Sequence, residues 1–207
     1  ISFSVSRKDL LTFIGIGFLI GIHWLCFYGS IKLSNASFTL ICMATTSFFT
    51  SLLEPLFFKR KISWIETFIG FLMIPCMYLI VGNDSKYSGF GILVGLLSAF
   101  FAAFFTVLNK KYIVGHNTLK VSLYEMIGVF ILMSLVLPFM NNTSVEIIPS
   151  SSDWFYLLIL SLLCTTLAWV ISLKALKNVS AFESNVIVNL EPVYGIALAI
   201  LILKEHK

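Results

Sequence analysis

Apolar residues run along this chain in seven stretches of about twenty residues each, separated by short polar or basic joints. A helix of about 20 residues, rising about 1.5 Å per residue, crosses a hydrocarbon core roughly 30 Å thick. We therefore predict an all-α, polytopic membrane helix bundle. The predicted spans are residues 10–30, 36–58, 64–82, 89–108, 120–140, 154–173 and 182–203.

Composition agrees with this class and argues against an enzyme. Of the 207 residues, 58% are hydrophobic and 12% are charged, and the mean hydropathy is +0.97. The longest joint, residues 141–153, is too short to fold alone, so no soluble domain is expected. The chain has no phosphate-cradling glycine loop, HExxH motif or nucleophile elbow. Cys26, Cys42, Cys76 and Cys164 lack metal-ligand spacing, and we expect neither a metal nor another cofactor.

The net charge of +4 is distributed as it is in membrane proteins. If the amino end is cytoplasmic, ten of the 14 Lys and Arg residues fall on inner joints, as the positive-inside rule requires. Lys110 and Lys111 are interpreted as anchors of this kind. The expected partner is the lipid bilayer, not nucleic acid, with the amino end inside and the carboxyl end outside.

An internal repeat accompanies this pattern. A shift of 145 residues aligns residues 9–62 with 154–207 without a gap, and it places Trp24 on Trp169 and Lys32 on Lys177. The shift covers five spans, and an odd number of spans per repeat inverts the second repeat in the bilayer. We expect seven spans of a ten-span protein built from two inverted five-span repeats. Residues 1–82 would hold the last three spans of the first repeat, and residues 83–207 the first four of the second.

Two segments carry a family resemblance. Residues 175–205 resemble the closing segment of an EamA-type repeat of the drug/metabolite transporter superfamily, and residues 89–112 resemble the opening span of the second repeat. The matching positions are Ser180, Ala181, Glu191, Pro192, residues 195–199 and Glu205. In the first repeat, Thr46 and Ser47 replace the Glu-Pro pair, while Glu54 and Pro55 follow eight residues later.

The resemblance implies a function as well as a fold. It implies a secondary transporter that moves small organic metabolites or drugs by alternating access, with export as the expected direction and the bacterial inner membrane as the expected location. Two alternatives remain open at this point. One is a membrane-embedded binding or accessory subunit without transport. The other is an exchanger of phosphorylated metabolites or nucleotide-sugars, which would need a basic side chain deep in a span.

The Glu-Pro pair lies near the middle of the last predicted span. An ionised Glu191 there costs roughly 2.5 to 3.5 kcal/mol on insertion scales. Pro192 frees the carbonyl of Val188 and predicts a helix break, and transporters commonly place substrate at such breaks. The pair therefore predicts either a substrate or proton site, or a packing kink beside a protonated Glu191.

Other polar and aromatic residues within the spans complete the candidate site. The predicted substrate-binding residues are Trp24, Tyr28, Trp169, Asn185, Asn189, Glu191 and Tyr194, and the predicted proton-coupling residues are Glu191 and His23. Each has an alternative role. Trp24 and Trp169 could instead belong to the aromatic belt at the membrane interface, and Asn185 and Asn189 could join helices. His23 could be a hydrogen-bonded packing residue. Glu125 is interpreted either as a snorkelling acid near the inner end of its span or as a binding residue.

Overall fold

The computed structural model describes residues 5–81, 89–139, 149–191 and 194, and every regular element in these ranges is helical. A 3₁₀ turn, Leu137–Phe139, follows α5, and a π-helix, Leu160–Leu167, joins α6 to α7. The α-helices are α1 Arg7–Leu33, α2 Ala36–Phe58, α3 Trp64–Val81, α4 Gly89–Tyr112, α5 Thr118–Val136, α6 Ser151–Ile159, α7 Ala168–Leu176 and α8 Ala181–Val188.

Among the described residues, five helical stretches are long and apolar enough to cross a membrane. Four of them correspond to α1, α2, α4 and α5. The fifth, Asp153–Leu176, includes α6, the π-helix and α7. Helix α3 contributes a shorter apolar stretch, Trp64–Cys76. The predicted span 182–203 begins within α8, and half of it lies outside the described residues. The structure confirms that the described part of the chain is all-α and contains several helices able to cross a membrane, five of the seven predicted by length and hydropathy.

Polar residues in the joints fix where the helices begin. Asn35 accepts a hydrogen bond from the backbone N–H of Phe38 at 2.8 Å and so starts α2. Ser180 and Glu183 form a reciprocal capping box that starts α8. Helices α2 and α8 therefore begin 145 residues apart, which is the shift seen in the sequence.

Small residues allow the helices of the core to approach closely. Helix α1 packs against α4 and α5, and α2 packs against α3 and α4. A Cβ atom at Gly17 of α1 would overlap the backbone carbonyl of Glu125 in α5, and one at Gly95 of α4 would lie 2.9 Å from the Cys42 sulfur in α2. In α4, small residues recur every four positions and are buried, which gives the helix a smooth close-packing surface: Gly91, Gly95, Ala99 and Ala103.

The π-helix between α6 and α7 was not predicted. The hydroxyls of Thr165 and Thr166 donate to the carbonyls of Leu160 and Ser161, five residues back, at 2.9 and 2.8 Å. A π-helix has more residues per turn than an α-helix, so it rotates α7 relative to α6. The direction of Trp169, two residues after this stretch, therefore depends on it.

Candidate functional site

A cavity of about 510 Å³ lies between α1, α2, α4, α7 and α8. It brings together seven of the residues predicted from the sequence. Three are aromatic and four are polar or charged: Trp24, Tyr28, Trp169, His23, Asn185, Asn189 and Glu191. The volume falls within the range of about 300 to 1,000 Å³ that is typical of small-molecule sites.

Aromatic side chains form one wall of the cavity. Trp169 of α7 packs edge-on against Phe105 of α4, with ring centroids 5.7 Å apart. Phe105 in turn contacts the His23 ring at 5.5 Å, and Trp24 and Tyr28 line the cavity from α1. Because these aromatics lie on three helices, they present ring faces and edges from several directions to a bound molecule.

The amides of α8 join this helix to α2 as well as lining the cavity. The Asn185 amide donates to the Thr50 hydroxyl at 2.7 Å. The Asn189 amide donates to the Ser47 hydroxyl at 2.8 Å and to the Ala44 carbonyl at 3.2 Å. The same two asparagine side chains therefore join α8 to α2 and line the cavity.

Helix α8 is interrupted just before the Glu-Pro pair. It ends at Val188, Asn189 and Leu190 form a turn, and Glu191 follows as an exposed residue that lines the cavity. Pro192 lies outside the described residues. Tyr194 is 60% exposed and is not among the residues that line the cavity.

His23 is held by the packing of α1 on α4. Its Nδ1 atom lies 2.9 Å from both the carbonyl and the hydroxyl oxygen of Ser98. The ring also lines the cavity. His23 therefore packs α1 against α4, and its role as a proton carrier stays a prediction.

Comparison with known proteins identifies the family. The model of the EamA-like transporter family matches residues 89–206, more than half of the chain. The chain belongs to the EamA-like transporter family. It is also 24% identical over 201 residues to the "Uncharacterized transporter YxxF" of Bacillus subtilis (strain 168), an alignment that covers 93% of this chain and 62% of that protein. The chain thus spans less than two thirds of this relative's length.

In this EamA-like chain, the position of Glu125 rules out one of its two interpretations, the snorkelling acid. The side chain does not snorkel to the interface, since it is 0% exposed and its Oε2 accepts a hydrogen bond from the Trp169 indole at 2.8 Å. Helix α5 faces α1 and α7 at this level, so the carboxyl is enclosed by protein. Its spacing along α5 gave no signal of this pairing with a residue 44 positions away.

Glu54 was noted in the sequence only as a displaced Glu-Pro pair. It is buried, and its carboxylate accepts from the backbone N–H groups of Ala181 and Phe182 at 3.3 and 3.0 Å. It therefore binds the amino-terminal end of α8, where the helix dipole favours an anion. The Arg60 guanidinium lies 3.3 Å from the same carboxylate.

Arg60 connects this contact to α3. It makes two hydrogen bonds to Glu66, at 2.9 and 2.7 Å. The hydrogen bond to Glu66 and the nearby Glu54 carboxylate hold the pKa of Arg60 above its usual value. Arg60 therefore stays charged at every working pH. It joins the end of α2 to the start of α3, next to the amino-terminal end of α8.

The lysine at the end of α4 also binds backbone. Lys110 donates to the carbonyls of Leu176 and Lys177 at 2.9 and 3.2 Å, so it satisfies the free carbonyls at the end of α7. The cavity itself has no Lys or Arg among its described lining residues. The described part of the chain also holds no cluster of three His, Cys, Asp or Glu residues suited to a metal ion.

Proposed function

We propose that the cavity is the substrate site of a secondary transporter that exports small organic metabolites or drugs by alternating access. The observation that carries the proposal is the cavity itself, which joins aromatic rings, two amides and the Glu191 carboxylate between five helices. The bacterial inner membrane is the proposed location.

The lining chemistry favours an aromatic molecule that is neutral or positively charged. Aromatic faces attract apolar rings and cations, and Glu191 supplies an acidic group at the exposed end of α8. A phosphorylated substrate would need a basic group, and the described lining has no Lys or Arg. We therefore propose an aromatic amine as the substrate class and do not favour the exchanger of phosphorylated metabolites or nucleotide-sugars.

Two inverted halves, residues 1–82 and 83–207, are proposed to rock against each other around this site. Support comes from α2 and α8, which begin 145 residues apart and meet through the hydrogen bond from Asn189 to Ala44. Glu191 and His23 are proposed as proton-coupling groups, and Tyr194 and a helix break at Pro192 belong to the same proposal.

The proposed state is outward-facing. With the amino end inside, the buried Asn109 and Asn185 lie toward the inner ends of α4 and α8, and the exposed Tyr28 lies toward the outer end of α1. The contact of Glu54 with α8 lies at the inner side. Alternating access would require this inner contact to open.

Uptake of radiolabelled tryptamine, an aromatic amine, into proteoliposomes containing the full-length protein tests the proposal. Replacing Trp169 with Ala should lower uptake about tenfold, the effect of losing about 1.4 kcal/mol of binding. Trp154→Ala is the matched control, because Trp154 is 54% exposed and outside the cavity lining. Equal effects of the two substitutions would contradict the proposal. Tryptamine binding without uptake would favour the accessory-subunit alternative.

A further inference from the structure

A carboxyl group lies directly behind the aromatic wall of the cavity. Glu125 of α5 is 0% exposed, and no Lys, Arg or His nitrogen of the described residues lies within 4.0 Å of its oxygens. It accepts a hydrogen bond from the Trp169 indole, and Trp169 itself lines the cavity. A buried carboxylate without a cation is costly, and binding a proton removes that cost.

Glu125 is also incompletely bonded. Its Oε1 atom has no hydrogen-bond partner among the described residues, and neither do the amide nitrogen and oxygen of Asn109. Asn109 of α4 lies close enough to act on the Glu125 carboxyl, it is 1% exposed, and it lines the cavity. The large majority of buried side-chain polar atoms have a hydrogen-bond partner, so a proton on the unbonded carboxyl oxygen beside Asn109 would supply a missing hydrogen bond.

Besides Glu125, the elements packed around it carry one acid, Asp9, which lies at the start of α1 and accepts a hydrogen bond from Ser6. Lys110 binds backbone carbonyls, Lys111 lies over the Phe57 and Tyr112 rings, and His23 lies on Ser98. The groups carried by α1, α4, α5, α7 and the α4–α5 joint are Arg7, Lys8, Asp9, His23, Cys26, Tyr28, Lys32, Lys110, Lys111, Tyr112, His116, Lys120, Tyr124 and Lys174. Glu125 is therefore the acid through which a proton would act on Trp169.

We propose that Glu125 is a proton-binding site that controls the substrate cavity through Trp169, an inference that rests on the proposed transport function. A proton delivered from water at Asn109 adds to a free carboxylate oxygen, and its release returns it to water, so the step consumes and produces nothing else. The ionised carboxylate holds the indole by a charge-assisted hydrogen bond, and the neutral acid is a weaker acceptor.

Protonation would therefore loosen Trp169 and change how the cavity binds an aromatic ring. By linkage, substrate that engages Trp169 changes the proton affinity of Glu125 by the same factor. The Glu125 side chain is more buried than that of Glu191, which is exposed. No described hydrogen bond joins Glu191 to Trp169. Glu125 would act as a positioning residue, since it contacts the Trp169 indole but does not itself line the cavity.

Tryptophan fluorescence of the full-length protein in detergent tests the inference without any transport measurement. The emission of the wild type minus that of Trp169→Phe isolates Trp169, and it is followed from about pH 5 to about pH 9. We expect a single titration in this difference. E125Q, compared with the double variant E125Q/W169F, should abolish it, and E125D should retain it at a displaced midpoint. E66Q, compared with E66Q/W169F, is the control and should leave the titration unchanged, because Glu66 lies on α3 outside the cavity lining.

The inference is overturned if the difference does not titrate in the wild type or if the titration survives in E125Q. A monodisperse elution profile shows that each variant is folded. If E125Q does not fold, E125D decides the test, because an unchanged midpoint in E125D would overturn the inference.

Transport separates this inference from the proposed function. In proteoliposomes, E125Q should lose the acceleration of tryptamine transport by a pH gradient, by about fivefold or more, and replacing sodium with choline should have no effect. If the gradient drives transport equally in the wild type and E125Q, the inference is wrong and the proposed function stands. If Trp169 titrates through Glu125 but no tryptamine is carried, the proton site stands and the proposed function is wrong.

Discussion

The side-chain amide of Asn189 donates a hydrogen bond to the backbone carbonyl of Ala44 at 3.2 Å, and these two residues are 145 positions apart. The same interval relates the two predicted repeats, so the bond joins a residue to its proposed counterpart in the other repeat. In a pseudo-two-fold arrangement, such contacts form where the axis passes between two equivalent helices. The relationship therefore places the contact between α2 and α8 at the centre of the proposed inverted repeat.

The hydrogen bond between Asn189 and Ser47 should contribute measurably to stability. In a double-mutant cycle of Asn189→Ala and Ser47→Ala, we expect a coupling energy of about 0.6 kcal/mol, and at most about 1.7 kcal/mol, as found between membrane helices. The measurement is the free energy of unfolding in detergent micelles. Ser51→Ala replaces Ser47→Ala in the control cycle, because Ser51 bonds to Phe48 and Thr67 instead. A coupling as large in the control cycle would contradict the prediction.

The contact of Glu54 with α8 should protect the first amides of that helix. Replacing Glu54 with Ala removes the acceptor of the Ala181 and Phe182 N–H groups, and a lost helix cap costs about 0.5 to 2 kcal/mol. Hydrogen exchange at these two amides should therefore accelerate about 2- to 30-fold, since 1.4 kcal/mol is about a factor of ten.

Glu66→Ala is the matched control for this exchange measurement. Glu66 shares Arg60 with Glu54 but makes no described hydrogen bond to α8. Exchange at Ala181 and Phe182 should remain within about twofold of the wild type in this variant. If both variants accelerate exchange equally, the Arg60 network and not the cap holds α8.

Two glycines of α1 should respond oppositely to the same substitution. Gly17→Ala places a Cβ atom on the backbone carbonyl of Glu125 and forces α1 and α5 apart, so we expect a loss of about 1 to 3 kcal/mol. Gly15→Ala meets nothing within 4 Å and should be neutral or stabilising by up to about 1 kcal/mol. Thermal unfolding in detergent measures both, and an equal loss from the two would exclude close packing as the cause.

Glu191 should recognise the positive charge of an amine substrate. Glu191→Gln keeps the size of the side chain and removes its charge, so binding of tryptamine should weaken about tenfold, a loss of about 1.4 kcal/mol. Tryptophol, which carries a hydroxyl in place of the amine, is the control ligand and should bind within about twofold of the wild type. Competition binding to the purified full-length protein gives both values.

The same variant tests the role of Glu191 in proton coupling. If Glu191 carries a coupling proton, Glu191→Gln should abolish the pH dependence of tryptamine transport by the full-length protein. Unchanged pH dependence with weakened tryptamine binding would show that Glu191 recognises the cation without carrying the proton.

Much of the fold follows from local features of the sequence. Apolar runs and joint residues such as Asn35 and Ser180 set the helices, because length, hydropathy and capping act over a few residues. Asn185 and Asn189, which the sequence offers as candidate site residues, both line the cavity. The π-helix before Trp169 escaped prediction, since its hydropathy is the same as that of an α-helical span.

The sequence alone predicted that this chain crosses the membrane repeatedly, where most of its helices begin, and five of the aromatic and amide residues that line one cavity: Trp24, Tyr28, Trp169, Asn185 and Asn189. Only the tertiary structure decided the partners of the buried acids: Trp169 for Glu125, and the amino-terminal end of α8 for Glu54. The physical reason is range. Insertion into lipid and helix capping depend on adjacent residues, whereas each acid is bound by a group 44 or more positions away that helix packing brings within 3.3 Å.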